Sequence, residues 1–114
     1  MQQSDMTDPS SPALIALGAN LPRDGRTPEA AVTAAIEALA ARTGRPVRAS
    51  RLYRTPAFPP GSGPDFVNAA VALDWADTPE ALLVLLHEIE AEFGRTRSAR
   101  WEARLMDLDL IALG

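Results

Sequence analysis

The sequence predicts an α+β domain in which two helices pack on an antiparallel sheet, in the order strand, helix, strand, strand, helix, strand. Three observations carry this reading. Two segments repeat apolar residues at helical spacing, and both open with the same four letters, Thr-Pro-Glu-Ala, at Thr27 and at Thr78. Four shorter segments are apolar or alternating and are bounded by Gly, Pro or Asn. The connections between them are short, and no linker marks a second domain.

In chain order, Ala13–Leu17 is apolar on both faces and closes at Gly18, which suits a strand in the middle of a sheet; Gly18–Pro22 reads as a turn. Thr27 caps the first helix, Pro28 takes the first helical position and Glu29 meets the positive end of the dipole. Val32, Ala35, Ile36, Leu39 and Ala40 form its apolar stripe, and Gly44 and Pro46 end it. Val47–Tyr53 alternates and reads as a strand, Thr55–Pro64 as a loop stiffened by proline, and Phe66–Leu73 as the next strand. The second helix starts at Thr78, buries Leu82, Leu85, Leu86, Ile89 and Phe93, and closes at Gly94. An arginine-rich loop, Arg95–Arg104, leads into a last strand, Met106–Leu113. This order is the split βαβ, or ferredoxin-like, arrangement.

Composition narrows the functional classes. The 114 residues suffice for one core, and 46% hydrophobic with 23% charged is ordinary for a globular protein. A formal charge of −4 argues against nucleic acid as the partner, whose binding needs a basic face. The absence of cysteine excludes disulfides, thiolate metal sites and cysteine nucleophiles, and fits a reducing cytoplasm. The longest strongly apolar run, Ala81–Leu86, is too short to span a bilayer, so no membrane partner is expected. Residues 1–12 are expected to be a disordered leader and 13–114 the domain; the polar start is not a signal peptide.

Asp107 and Asp109 lie two apart on a strand, hence on one face with Cα atoms ~6.5 Å apart. Ile111 and Leu113 are expected to continue that face, which would place the carboxylates at one end of a buried strand. Either the pair holds a hard divalent cation with open positions for phosphate, or each aspartate pairs with a neighbouring arginine. Arg95, Arg97, Arg100 and Arg104 stand just before them. Guanidinium groups match phosphate oxygens bidentately, so this run reads either as a polyphosphate site or as a solvated loop that neutralises its own aspartates. Trp101 within the run either stacks on a planar ring or anchors the loop. Asn68 shares a strand face with Phe66; its amide takes either a heterocycle edge or a neighbouring loop as partner. His87 and Glu90 share a helix face but are too few for a metal site. No Walker loop or Gly-x-Gly-x-x-Gly is present.

Four ordered segments resemble the 6-hydroxymethyl-7,8-dihydropterin pyrophosphokinase family. Arg100–Leu110 is similar to its R-W-G-P-R-x-L-D-L-D signature, and Ala16–Leu21 to its first strand and G-S-N-L turn. Ser50–Pro56 resembles S-x-x-Y-x-T-P, and Pro64–Val71 resembles P-D-Y/F-x-N-A-V. The resemblance implies transfer of pyrophosphate from ATP to the pterin hydroxymethyl group in folate synthesis, with release of AMP. It implies two Mg2+ ions on Asp107 and Asp109, with Arg95 and Arg104 stabilising the transferring group. Thr55, Pro56, Phe58, Phe66, Asn68 and Trp101 would serve the pterin, and His87, Glu90, Arg97, Arg104 and Leu110 the ATP. The expected partners are these small molecules, and the expected state is a monomer.

The chain departs from the family pattern at Glu102-Ala103, where Gly-Pro is usual, and at Leu105. The resemblance also implies a further C-terminal segment beyond the position of Gly114, with more nucleotide contacts and a second aromatic for the pterin; without it, exposed apolar surface would favour association. The alternative reading is therefore a truncated or degenerate relative that binds pterin or nucleotide weakly or acts as an interaction module. An RNA-recognition-motif reading is opposed by the acidic balance, by the aspartate pair, and by Val67, Ala69 and Val71 where exposed aromatics would be needed.

Overall fold

The structure, a computed structural model, describes residues 10–20, 27–56, 59, 61, 64–94 and 106–114. Its elements are β1 (Ser11–Ala19), α1 (Pro28–Thr43), β2 (Arg48–Ala49), β3 (Tyr53–Thr55), β4 (Phe66–Trp75), α2 (Pro79–Gly94) and β5 (Asp107–Leu113). The two Thr-Pro-Glu-Ala starts fold alike. The Thr27 hydroxyl accepts from the Ala30 N–H at 3.1 Å, and the Thr78 hydroxyl accepts from the Ala81 N–H at 3.1 Å, each satisfying a free amide of the first turn. α1 stops where Gly44 takes φ 67° and donates its N–H to the Ala40 carbonyl.

All strand pairs are antiparallel, in the order β2-β4-β1-β5, with β3 also on β4. This is the expected α+β, ferredoxin-like arrangement. Odd-numbered residues of β1 (Ala13, Ile15, Leu17, Ala19) and β4 (Val67, Ala69, Val71, Leu73) are buried with Val32, Ala35 and Leu39 of α1 and Leu82, Leu86 and Ile89 of α2. Period-two alternation thus gives the sheet one helix-covered face and one face that no helix among the described residues covers. Arg42 of α1 reaches Glu88 and Glu92, one turn apart on α2, and holds the helices side by side.

Four expectations need correction. β1 runs through Gly18 and Ala19 rather than turning at Gly18, because both pair with β4 at Asn68 and Val67. It begins at Ser11, inside the segment expected as a leader, whose residues 1–9 lie outside the described residues. The strand expected at Val47–Tyr53 is two pieces. Arg48 and Ala49 pair with Ala72 and Val71, whereas Tyr53 pairs with Asn68, so the segment between holds one residue more than its partner. Ser50 bridges the break: its N–H bonds the Ala70 carbonyl at 2.8 Å and its hydroxyl accepts the Ala70 N–H at 2.9 Å. Finally, β5 carries an irregularity at Ile111, between the pairs Ile15–Leu110 and Leu14–Ala112. The alternation expected from Asp107 to Leu113 breaks there: Ile111 is 57% exposed, while Leu113 packs against the core.

No atom lies within 4 Å of a Cβ built on Gly44, so its requirement for glycine is purely the left-handed backbone. Gly44→Ala is expected to lower unfolding free energy by about 1 kcal/mol, read as a lower urea midpoint with an unchanged slope.

Candidate functional site on the open sheet face

The register of β1 sets out the site. Gly18 pairs with Asp107 on one side and with Asn68 on the other, and Asn68 pairs in turn with Tyr53. One row therefore crosses the sheet from Asp107 through Gly18 and Asn68 to Tyr53, on the face away from the helices. A second row runs from Asp109 through Ala16 to Ala70. Two strand spacings separate Asp107 from Asn68, about 10 Å between Cα atoms.

At one end of this face, Leu108 is buried in the core, so Asp107 and Asp109 on either side of it turn to the open face. Among the described residues no third His, Asp or Glu joins them in a group able to hold a metal. Among the described residues β5 pairs only with β1, which leaves its other edge to other partners. Glu90 of α2 meets it: a carboxylate oxygen accepts the Leu108 N–H at 2.8 Å. Glu90 therefore stands at the sheet edge beside the aspartates. His87, one turn earlier, is exposed on α2. Leu110 is half-buried and packs against the core on the helix side, not with the aspartates.

At the other end, the Asn68 amide nitrogen donates to the Thr55 hydroxyl at 2.7 Å. Thr55 keeps its own proton to donate, and Asn68 keeps a second N–H and its carbonyl. Phe66, half-buried, pairs with Thr55, and Pro56 follows directly. Arg54, between Tyr53 and Thr55, turns to the helix side and pairs with Glu29 in the first turn of α1. The end thus offers donors, an acceptor and a ring face, a set suited to the edge of a flat heterocycle. The other end suits a cation or a phosphate chain.

Phe58, Arg95, Arg97, Trp101 and Arg104 lie outside the described residues. Three residues of the face were not singled out from the sequence. Gly18 and Tyr53 lie in the row itself. Asn20 is 2% exposed just past β1 and donates to the Pro64 carbonyl at 3.3 Å, tying the end of β1 to the approach of β4. The signal for Gly18 was its place two residues before that asparagine, but only pairing reveals what lies beside it. Val67, Ala69 and Val71 face the helices, so they do not bear on RNA binding; the open face of β4 carries Phe66, Asn68 and Ala70.

Residues 14–114 match the sequence profile of the 7,8-dihydro-6-hydroxymethylpterin-pyrophosphokinase family. The chain belongs to this family. Among its relatives are proteins named 2-amino-4-hydroxy-6-hydroxymethyldihydropteridine pyrophosphokinase. That of Methylorubrum extorquens is 41% identical over 101 residues, covering 88% of this chain and 61% of that protein. That of Haemophilus influenzae is 37% identical over 103 residues, covering 90% of this chain and 62% of that protein. For Pseudomonas putida the identity is 39% over 100 residues, covering 87% of this chain and 79% of that protein. The chain thus spans about three-fifths of the length of the first two relatives. In this pyrophosphokinase-family chain, no helix among the described residues is long and apolar enough to cross a membrane.

Glu90→Ala removes the acceptor of the part-buried Leu108 N–H and is expected to cost about 1–3 kcal/mol of stability, whereas Glu90→Gln, which keeps a carbonyl acceptor, loses less. Chemical unfolding of the two variants, with exchange of the Leu108 amide, checks the ranking.

Proposed function

We propose that this chain acts in the family's reaction, transferring the β,γ-diphosphoryl unit of ATP to the hydroxymethyl group of 6-hydroxymethyl-7,8-dihydropterin in folate synthesis. The hydroxymethyl oxygen bonds to the β-phosphorus, the bond from that phosphorus to the α-phosphate oxygen breaks, AMP leaves with the electron pair, and the hydroxyl proton passes to solvent. The observation that carries the reading is the row from Asp107 through Gly18 to Asn68. It joins a carboxylate pair to a ring-recognising amide across about 10 Å.

In this reading Asn68 and Thr55 take the pterin edge, Phe66 offers its ring face, and Pro56, Phe58 and Trp101 also serve the pterin. Arg95 and Arg104 neutralise charge on the transferring group, and Arg97 holds phosphate. Glu90, His87 and Leu110 serve the nucleotide from the β5 edge. Asp107 and Asp109 fit two magnesium ions: hard carboxylate oxygens from one strand face leave positions for water and phosphate oxygens. When bound, such ions neutralise phosphate charge and fix its geometry. Catalysis by the chain itself is then positioning and charge neutralisation. We read the chain as a monomer of the cytoplasm, a compartment that the absence of cysteine suits.

Incubation with ATP, magnesium and 6-hydroxymethyl-7,8-dihydropterin is expected to release AMP only when the pterin is present. Asp107→Ala/Asp109→Ala should lower that rate by roughly 10²-fold or more. Pterin-independent AMP, or none at all, would reject the catalytic reading while leaving family membership intact.

A further inference from the structure

Gly18 is a glycine that its backbone does not demand. The described glycines with positive φ are Gly44, Gly61 and Gly114, whereas Gly18 lies inside β1, paired on both sides. Any residue adopts such a strand conformation, so the reason for glycine must lie above it. A Cβ built there stands 2.8 Å from the Asn68 Oδ1, inside the distance that real contacts keep. Its next neighbours, the Val67 carbonyl at 3.8 Å and the Asn68 Cγ at 3.9 Å, are ordinary contacts. Among the described residues, Asn68 is what occupies the space that a side chain at position 18 would need.

The Asn68 carboxamide thus spans its neighbours. Its nitrogen is tied to Thr55 on β3 at 2.7 Å, and its oxygen rests over Gly18 on β1. Gripped at one end and seated at the other, the group lies across β4 and presents its remaining N–H and its carbonyl side by side. A donor and an acceptor in one plane match the amide-like edge of a fused heterocycle. The geometry points to Gly18 as a positioning residue for ring specificity: its missing side chain lets Asn68 lie in the orientation that reads the pterin edge. This assignment rests on the proposed function for the identity of the ring. The seating of Asn68 on Gly18 is independent of it.

The test is a thermodynamic cycle read beside ligand titrations. Urea unfolding of the unmodified chain, Gly18→Ala, Asn68→Ala and the double variant measures the seating. Gly18→Ala is expected to lower the midpoint when Asn68 is present and to leave it unchanged when Asn68 is alanine. Equal shifts in both backgrounds would overturn the proposal. If Gly18→Ala alone does not fold, recovery of folding in the double variant supports it and failure to recover overturns it.

Fluorescence titration with 6-hydroxymethylpterin reads the function. Gly18→Ala is expected to weaken pterin binding by about tenfold, while binding of α,β-methylene-ATP with magnesium stays within about twofold. Equal loss for both ligands, or no loss for the pterin, rejects the specificity role. Should the unmodified chain bind no pterin although the cycle shows coupling, the proposed function fails and the seating of Asn68 stands.

Discussion

The site depends on the register in which β1 pairs with β4 and β5. Side chains along a strand alternate faces, so a one-residue slip of β1 would turn its whole set over. The core forbids that slip. Ile15 and Leu17 are buried between the sheet and the helices, and exposing them would cost about 3–6 kcal/mol. The exchange would return Leu14 and Ala16, and it is large against the 5–15 kcal/mol or so that holds a typical domain together. The core thus fixes which side chains of β1 reach the open face, and the observed pairing sets their neighbours there. Gly18 lies between Asp107 and Asn68, and Ala16 between Asp109 and Ala70. The apolar core thus aligns groups that it never touches.

Much of this was legible in the residues. Both helices, their threonine caps, the Gly44 stop and the apolar stripes follow from local chemistry repeated over several turns, and a packed structure keeps such features. The pairing of the aspartates on one face followed from their spacing alone. What the residues hid was the irregular pairing. Nothing in Val47–Tyr53 announces that Ser50 will lend its hydroxyl to the Ala70 N–H, because that acceptor role appears only once β4 lies alongside. Yet the extra residue there decides the site. It lets Leu52 pack against the core while Tyr53 and Thr55 come to the open face beside Asn68 and Phe66. Without it, Leu52 and Arg54 would occupy those places and the Asn68 amide would lose its hydroxyl partner.

The irregularity at Ile111 does the complementary task in β5. Between Asp107 and Leu110 strict alternation keeps both carboxylates out and Leu108 in. Past Ile111 the strand must still bring Leu113 to the core, and an unbroken alternation would have pointed it outward with the aspartates. One surplus residue reconciles a polar start on the open face with an apolar end on the covered one. The expectation that Leu113 would share the aspartates' face failed for this reason: constant alternation would have placed it there, and a bulge changes the phase.

The edge position of β5 also bears on the chemistry. Two carboxylates on a central strand would sit between neighbouring side chains and pay heavily in lost hydration. Among the described residues no strand lies on the far side of β5, and there Asp107 stays half-buried and Asp109 exposed. An edge, however, exposes unpaired N–H groups that invite another strand. Glu90 answers this at Leu108, closing the N–H between the two aspartates from the helix side. The hydrogen bond that protects the edge thus also ties α2 to the strand that carries both aspartates.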